Sequence, residues 1–127
     1  MKSFVTVAVG GALGTLARFG IGEWLASDRL FPAATFLVNL SGSFLLGALL
    51  ATMLLRVDDR GERRTARLLL GTGFLGGYTT YSALAVETDQ LLRADHVALA
   101  TAYAVGTVLL GLVAALAGIA TARAVAR

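Results

Sequence analysis

No cysteine occurs in the chain, so disulfides, thiolate nucleophiles and thiolate metal sites are excluded. Histidine occurs once, as His96 beside Asp95, and a histidine-based metal cluster cannot be built from one chain. Proline also occurs once, at Pro32. Charge is scarce, with 15% of residues Asp, Glu, Lys or Arg, against about a quarter in a typical soluble domain. Apolar residues take their place, at 57% of the 127 residues with a mean hydropathy of +0.76. A soluble fold this small has too little interior to hide so much apolar surface, and the lipid bilayer suits it better. The pI near 10.0 raises nucleic-acid binding as a class. The arginines, however, border apolar runs as membrane-flanking arginines do, and no nucleic-acid partner is expected.

A helix crosses the hydrocarbon core in about 20 mostly apolar residues. Four stretches fit, roughly Phe4 to Leu25, Ala33 to Leu55, Leu68 to Leu92 and Val97 to Ala122. The links at Ser27 to Pro32, Arg56 to Arg67 and Arg93 to His96 are short, which predicts up-down-up-down packing. The expectation is one all-α membrane domain of four transmembrane helices over residues 1–127. Met1-Lys2 before an apolar run is also how a signal peptide begins. Apolar residues continue past Arg18 to Trp24 and Leu25, too far for a signal core. Trp24 and Phe31 are placed near one membrane interface, where amphipathic rings prefer to sit.

The third stretch is unlike the others. Gly71, Gly73, Gly76 and Gly77 precede Thr79, Thr80 and Ser82. Glycine weakens a helix interior by about 1 kcal/mol per residue, and threonine and serine compete for backbone hydrogen bonds. A break between Gly76 and Thr80 is predicted. At membrane depth, the freed carbonyls and amides need protein, water or an ion, and carbonyl oxygens suit a small hard cation. The alternative is close helix packing through small residues. In the second stretch Thr35, Asn39 and Ser43 share one face; this stripe suits either an interhelical hydrogen-bond seam or a pore lining. Tyr103, Thr107 and Gly111 form a second stripe at steps of four. Neutral hydroxyl donors suit an anion pore, because a bare cation would hold the anion too tightly. A threonine that merely back-bonds its own helix is the competing reading. Arg18 lies inside the first stretch, to snorkel or to line an anion vestibule. Glu87 follows the break by about two turns and is placed to cap or pair there.

Three blocks together resemble the Fluc (CrcB) fluoride channel family: GGALGTLARFG at Gly10 to Gly20, TFLVNLSGSFLLG at Thr35 to Gly47, and GTGFLGGYTTYS at Gly71 to Ser82. Their spacing, the four-helix plan and the length match as well, so the resemblance covers essentially the whole chain. It implies a passive fluoride channel, built as an antiparallel dimer with two anion pores, that lets cytoplasmic fluoride leave the cell. It implies a structural sodium ion at the dimer centre, held by backbone carbonyls in the helix break that fall on Gly76 and Thr79. It places pore roles on Asn39, Tyr81, Ser82, Tyr103 and Thr107, and aligns the family's first-helix arginine with Arg18. The chain also departs from the family. Two phenylalanines, three residues apart after the Thr-Thr pair, are Tyr81 and Leu84 here. Tyr81 keeps a ring edge, which can meet an anion without formal charge; Leu84 does not. A threonine between those rings is Ala83, and a serine of the fourth-helix track is Gly111.

Four spans put both termini and the Arg56 to Arg67 link on one side. That side carries Lys2, Arg56, Arg60, Arg63, Arg64, Arg67, Arg123 and Arg127, against Arg29, Arg93 and Arg18 elsewhere. Such a bias fixes orientation, with both termini expected in the cytoplasm of an inner-membrane protein, and Asp58, Asp59 and Glu62 count little against it. An antiparallel dimer of a fixed-orientation subunit needs an oppositely oriented homologue, which favours a heterodimer with a homologous subunit, a homodimer being the alternative. Two rivals are weaker. A small multidrug/proton antiporter needs a carboxylate mid-way along the first helix, where Glu23 is near its end. A non-transporting assembly subunit leaves the Thr-Thr break and both stripes unexplained. No nucleophile–base pair suggests an enzyme.

Overall fold

The computed structural model describes residues 1–25, 30–54 and 61–126. Leu55, much of the two loops that follow the first and second helices, and with them Arg29, Arg56, Arg60 and Arg127, lie outside the described residues. Helix is the dominant secondary structure among the described residues, and none of them forms a strand. Helix α1 is Lys2–Trp24 and α2 is Ala33–Leu54. Helix α3 starts as an α-helix at Glu62–Ala66, widens to a π-helix over Arg67–Leu75, and ends as a last turn at Gly76–Tyr78. Helix α4 is Tyr81–Arg93 and α5 is Val97–Val125.

Three helices, α1, α2 and α5, are each long and apolar enough to cross a membrane. The third stretch is divided into α3 and α4, neither of which has the full length. The division falls at Thr79 and Thr80, whose backbones are extended (φ −75°, ψ 159° and φ −149°, ψ 126°). The four glycines ahead of it stay helical. β-Branched residues accept extended backbone readily, so the threonines rather than the glycines carry the break.

What the glycines supply is proximity. A Cβ on Gly14 would stand 2.0 Å from the Phe74 carbonyl oxygen, and one on Gly77 would stand 2.3 Å from that of Gly11. Thus α1 and α3 run side by side with backbones touching, the small-residue packing that serves in lipid. The α2–α5 pair repeats this, with Gly47 against the Ala115 carbonyl and Gly118 against that of Phe44. Helix α4 leaves α1 and packs on α5. Large apolar residues such as Phe4, Phe19, Leu112 and Leu116 stay exposed on the outside, as expected where lipid is the solvent. The starts of α1 and α3 and the ends of α2 and α5 share one end of the bundle, which gathers Lys2, Arg63, Arg64, Arg67 and Arg123. The opposite end holds Arg93, paired with Asp89 at 2.6 Å.

Candidate ion site at the broken helix

Asn39, on α2, faces the break and holds both sides of one residue. Its Nδ2 donates to the Thr80 carbonyl at 2.9 Å, and its Oδ1 accepts from the Thr80 N–H at 2.8 Å. The primary amide thus pairs with the peptide as a neighbouring strand would. Thr80 in turn caps α4: its Oγ1 accepts from the Ala83 N–H at 3.2 Å and lies 3.2 Å from the Ser82 hydroxyl. A side-chain oxygen at this position satisfies one of the otherwise unpaired N–H groups at a helix start.

These contacts divert two donors. In an uninterrupted α-helix the Thr80 N–H would serve the Gly76 carbonyl, and the Ala83 N–H would serve the Thr79 carbonyl. Here the first goes to Asn39 and the second to the Thr80 side chain. Among the described residues, no backbone donor outside the helices' own ladders reaches either carbonyl oxygen. The Leu75 carbonyl, by contrast, takes both the N–H and the hydroxyl of Thr79. Gly76 also has open space beside it, with nothing within 4 Å of a Cβ placed there.

A groove of about 530 Å³ runs along this face. Asn39, Gly76, Thr79, Tyr81 and Thr107 line it, with Ser43, Thr72 and Gly111 farther toward the arginine-rich end. Tyr81 projects outward, 83% exposed. Glu87 and Tyr103 form a second cluster beside the groove, together with Thr35. Glu87 Oε1 accepts from the Thr35 hydroxyl at 2.8 Å, and Oε2 accepts from the Tyr103 hydroxyl at 2.5 Å. Charge-assisted bonds of this kind are about twice as strong as neutral ones. Tyr103 is fully buried, with Phe31 set edge-on to its ring at 5.6 Å. The Thr107 hydroxyl donates to the Tyr103 carbonyl at 2.6 Å, bonding back along its own helix. Arg18 is half-exposed on α1, away from the groove lining.

Residues 5–119 match the family described as "CrcB-like protein, Camphor Resistance (CrcB)". The chain belongs to the CrcB family. Its relatives include the "Fluoride-specific ion channel FluC 2" of Leifsonia xyli subsp. xyli, 46% identical over 98% of this chain and 86% of that protein. The "Fluoride-specific ion channel FluC" of Stutzerimonas stutzeri is 45% identical over 92% of this chain and 94% of its own length. A protein of the same name from Thermus thermophilus is 42% identical over 93% of this chain and 91% of its own length. The CrcB family is one of fluoride ion channels, not enzymes, and the apolar helices make this member a multi-pass membrane protein.

Within this CrcB chain the departures from the family pattern have clear positions. Leu84 is buried in a cluster with Leu91, Ala100 and Tyr103, while still bordering the groove. Gly111 lies against Ser43, whose Oγ is 3.4 Å from where a Cβ on Gly111 would stand. Two features escaped the sequence reading. Tyr78 is buried, its hydroxyl 2.9 Å from that of Ser41, which ties α3 to α2. Thr72 lines the groove from within the π-helical stretch. The only hint of it in the sequence is a lone hydroxyl between Gly71 and Gly73.

Proposed function

We propose that this chain is a subunit of a fluoride-selective channel that lets cytoplasmic fluoride leave passively and so lowers its toxicity. Kinship with the fluoride channels, at more than 40% identity over nearly the whole chain, carries the reading. The groove supports it: it is bordered by neutral polar groups, and a fixed cation lining it would retain the anion. A structural sodium ion fits the break. Gly76 and Thr79 would hold it through their carbonyl oxygens, whose expected donors are diverted, and it would join two subunits at the break. Hard cations take such oxygen ligands.

On this reading the subunit lies in the inner membrane with both termini in the cytoplasm, supported by the gathering of Lys2, Arg63, Arg64, Arg67 and Arg123 at one end. Opposite insertion of a second copy would move them to the outer face. The antiparallel dimer is therefore assigned to this chain and an oppositely oriented homologue. The chain is tested by reconstitution in liposomes, alone and with its co-expressed homologue. Fluoride efflux well above chloride efflux is expected from the pair. Robust flux from this chain alone overturns the heterodimer, and comparable chloride flux overturns the fluoride assignment.

A further inference from the structure

Most polar side chains near the break are already committed to protein acceptors. Asn39 is spent on Thr80, the Thr107 hydroxyl on the Tyr103 carbonyl, and the Tyr103 and Thr35 hydroxyls on Glu87. An anion moving along the groove needs donors that are still free.

Two such donors line the groove toward its arginine-rich end. Among the described threonines, Thr72 alone makes no hydrogen bond. The others bond, most often by donating to a carbonyl about one turn back, as Thr79, Thr88 and Thr107 do. The cause is the local helix form. Thr72 lies mid-way along the π-helical Arg67–Leu75 stretch. A π-helix pairs residue i with i−5, so the carbonyl four back no longer sits beneath the side chain, and such turns are frequent at functional sites. The hydroxyl is left exposed in the groove. Ser43 likewise has no hydrogen-bond partner among the described residues, although other helical serines and threonines on α2, such as Ser41 and Thr52, are bonded. Its hydroxyl stands beside Gly111, at the point where the fifth helix offers no side chain.

We propose that Thr72 and Ser43 are further anion-contacting residues, hydroxyl donors that carry fluoride along the groove between the break and the arginine-rich end. The inference rests on the fluoride-channel reading. Thr72 donates from α3 and Ser43 from α2, so the anion is passed between helices rather than along one of them. The π-helical stretch has a purpose in this scheme: it keeps the Thr72 proton from being lost to the helix's own backbone.

The test compares Thr72→Val, Thr72→Ser and Ser43→Ala in the full chain, reconstituted as the assembly in which the wild type conducts. Valine keeps the branched shape and removes only the donor. Fluoride efflux about tenfold lower with Thr72→Val is expected, the scale of one lost hydrogen bond to a charged group. Half-saturating fluoride should rise, assembly should be unchanged and Thr72→Ser should restore flux. Ser43→Ala should lower flux in the same direction. Wild-type flux from Thr72→Val overturns the proposal, as does impaired assembly that Thr72→Ser does not rescue. If Thr72→Val does not assemble but Thr72→Ser does, Ser43→Ala decides: wild-type flux from it overturns the proposal, and reduced flux with intact assembly upholds the free-donor path. Absence of fluoride flux in the wild-type assembly would instead defeat the channel reading itself.

Discussion

The two halves of the third stretch are held by opposite means. Helix α3 is positioned against α1 by what its residues lack: Gly73 and Gly77 bring its backbone to touch that helix, while Tyr78 ties its far side to α2. Helix α4 is positioned by side chains that reach out: the Thr80 cap, the Asn39 clamp at its start, and Glu87 bonded to both α2 and α5. The first kind of contact is steric and fails when an atom is added. The second is electrostatic and fails when an atom is removed or changed. Because the two meet at Thr79 and Thr80, the break is fixed from both directions without a charged side chain at its centre.

The largest expected effect comes from adding one methyl group on the α3 side. Gly14→Ala would put a carbon 2.0 Å from the Phe74 carbonyl oxygen, where the obstacle is backbone and cannot rotate away. Overpacking typically costs about 1–3 kcal/mol and occasionally more, and this position belongs at the upper end. Thermal unfolding in detergent should show a marked loss of folded protein. Gly76→Ala is the control, because nothing lies within 4 Å of its Cβ. It should leave the subunit's fold intact, whereas Gly76→Leu should disturb the proposed dimer and the sodium site proposed at the break. If Gly14→Ala were as stable as Gly76→Ala, backbone contact would not be what holds α3.

On the α4 side, Asn39→Leu removes both bonds to Thr80 and strands a peptide group. Each unsatisfied buried polar group costs about 1–3 kcal/mol. Fluoride efflux should fall, and with it retention of the proposed sodium, since the clamp that holds the break in shape is lost. Unchanged flux would remove Asn39 from any part in conduction. Asn39→Asp sharpens the result: it keeps an acceptor for the N–H but sets a carboxylate against the Thr80 carbonyl, so it should be no better than leucine.

Glu87→Gln is expected to act less strongly. Glutamine can still accept from Thr35, but it presents an NH₂ group to a tyrosine hydroxyl that now donates. A stability loss of about 1–2 kcal/mol is expected, the difference between a charge-assisted bond and a neutral one. Chemical denaturation of the purified assembly would measure it. A loss as large as that of Asn39→Leu would mean that α4 is anchored at Glu87 rather than at the break.

Much of this contrast can be read from the sequence, and the unread part has a common cause. The four apolar runs stand out because crossing lipid demands length and hydropathy, both local properties. The break is also readable, since Thr-Thr after Gly-Gly is a local conflict with helix. Within the predicted window the threonines rather than Gly76 depart from helix: all four glycines stay helical, Gly73 and Gly77 against α1 and Gly76 beside open space. The diversion of the Thr80 N–H depends on Asn39, 41 positions away, so nothing nearby in the chain announces it. The π-helical widening at Arg67–Leu75 is likewise a compromise between α3 and its neighbours and leaves no local pattern. Hydroxyl stripes on α2 and α5 are visible by spacing, but whether each proton is free or spent is decided only by the partners across the interface.

The smallest expected effect tests whether every polar residue of α4 helps to hold it. The helix ends in a Schellman motif, with the His96 N–H donating to the Leu91 carbonyl and the Asp95 N–H to that of Leu92. Asp95 takes the left-handed position, φ 59°, where glycine is the usual residue because a Cβ is crowded there. The motif's bonds come from the backbone, so the Asp95 side chain contributes little and strains the turn. Asp95→Gly should therefore stabilise the protein by up to about 1 kcal/mol, seen as a small rise in Tm with fluoride flux unchanged. A loss of stability would show that the carboxylate holds the end of α4, and would extend the side-chain mode of anchoring over the whole helix rather than its first two turns.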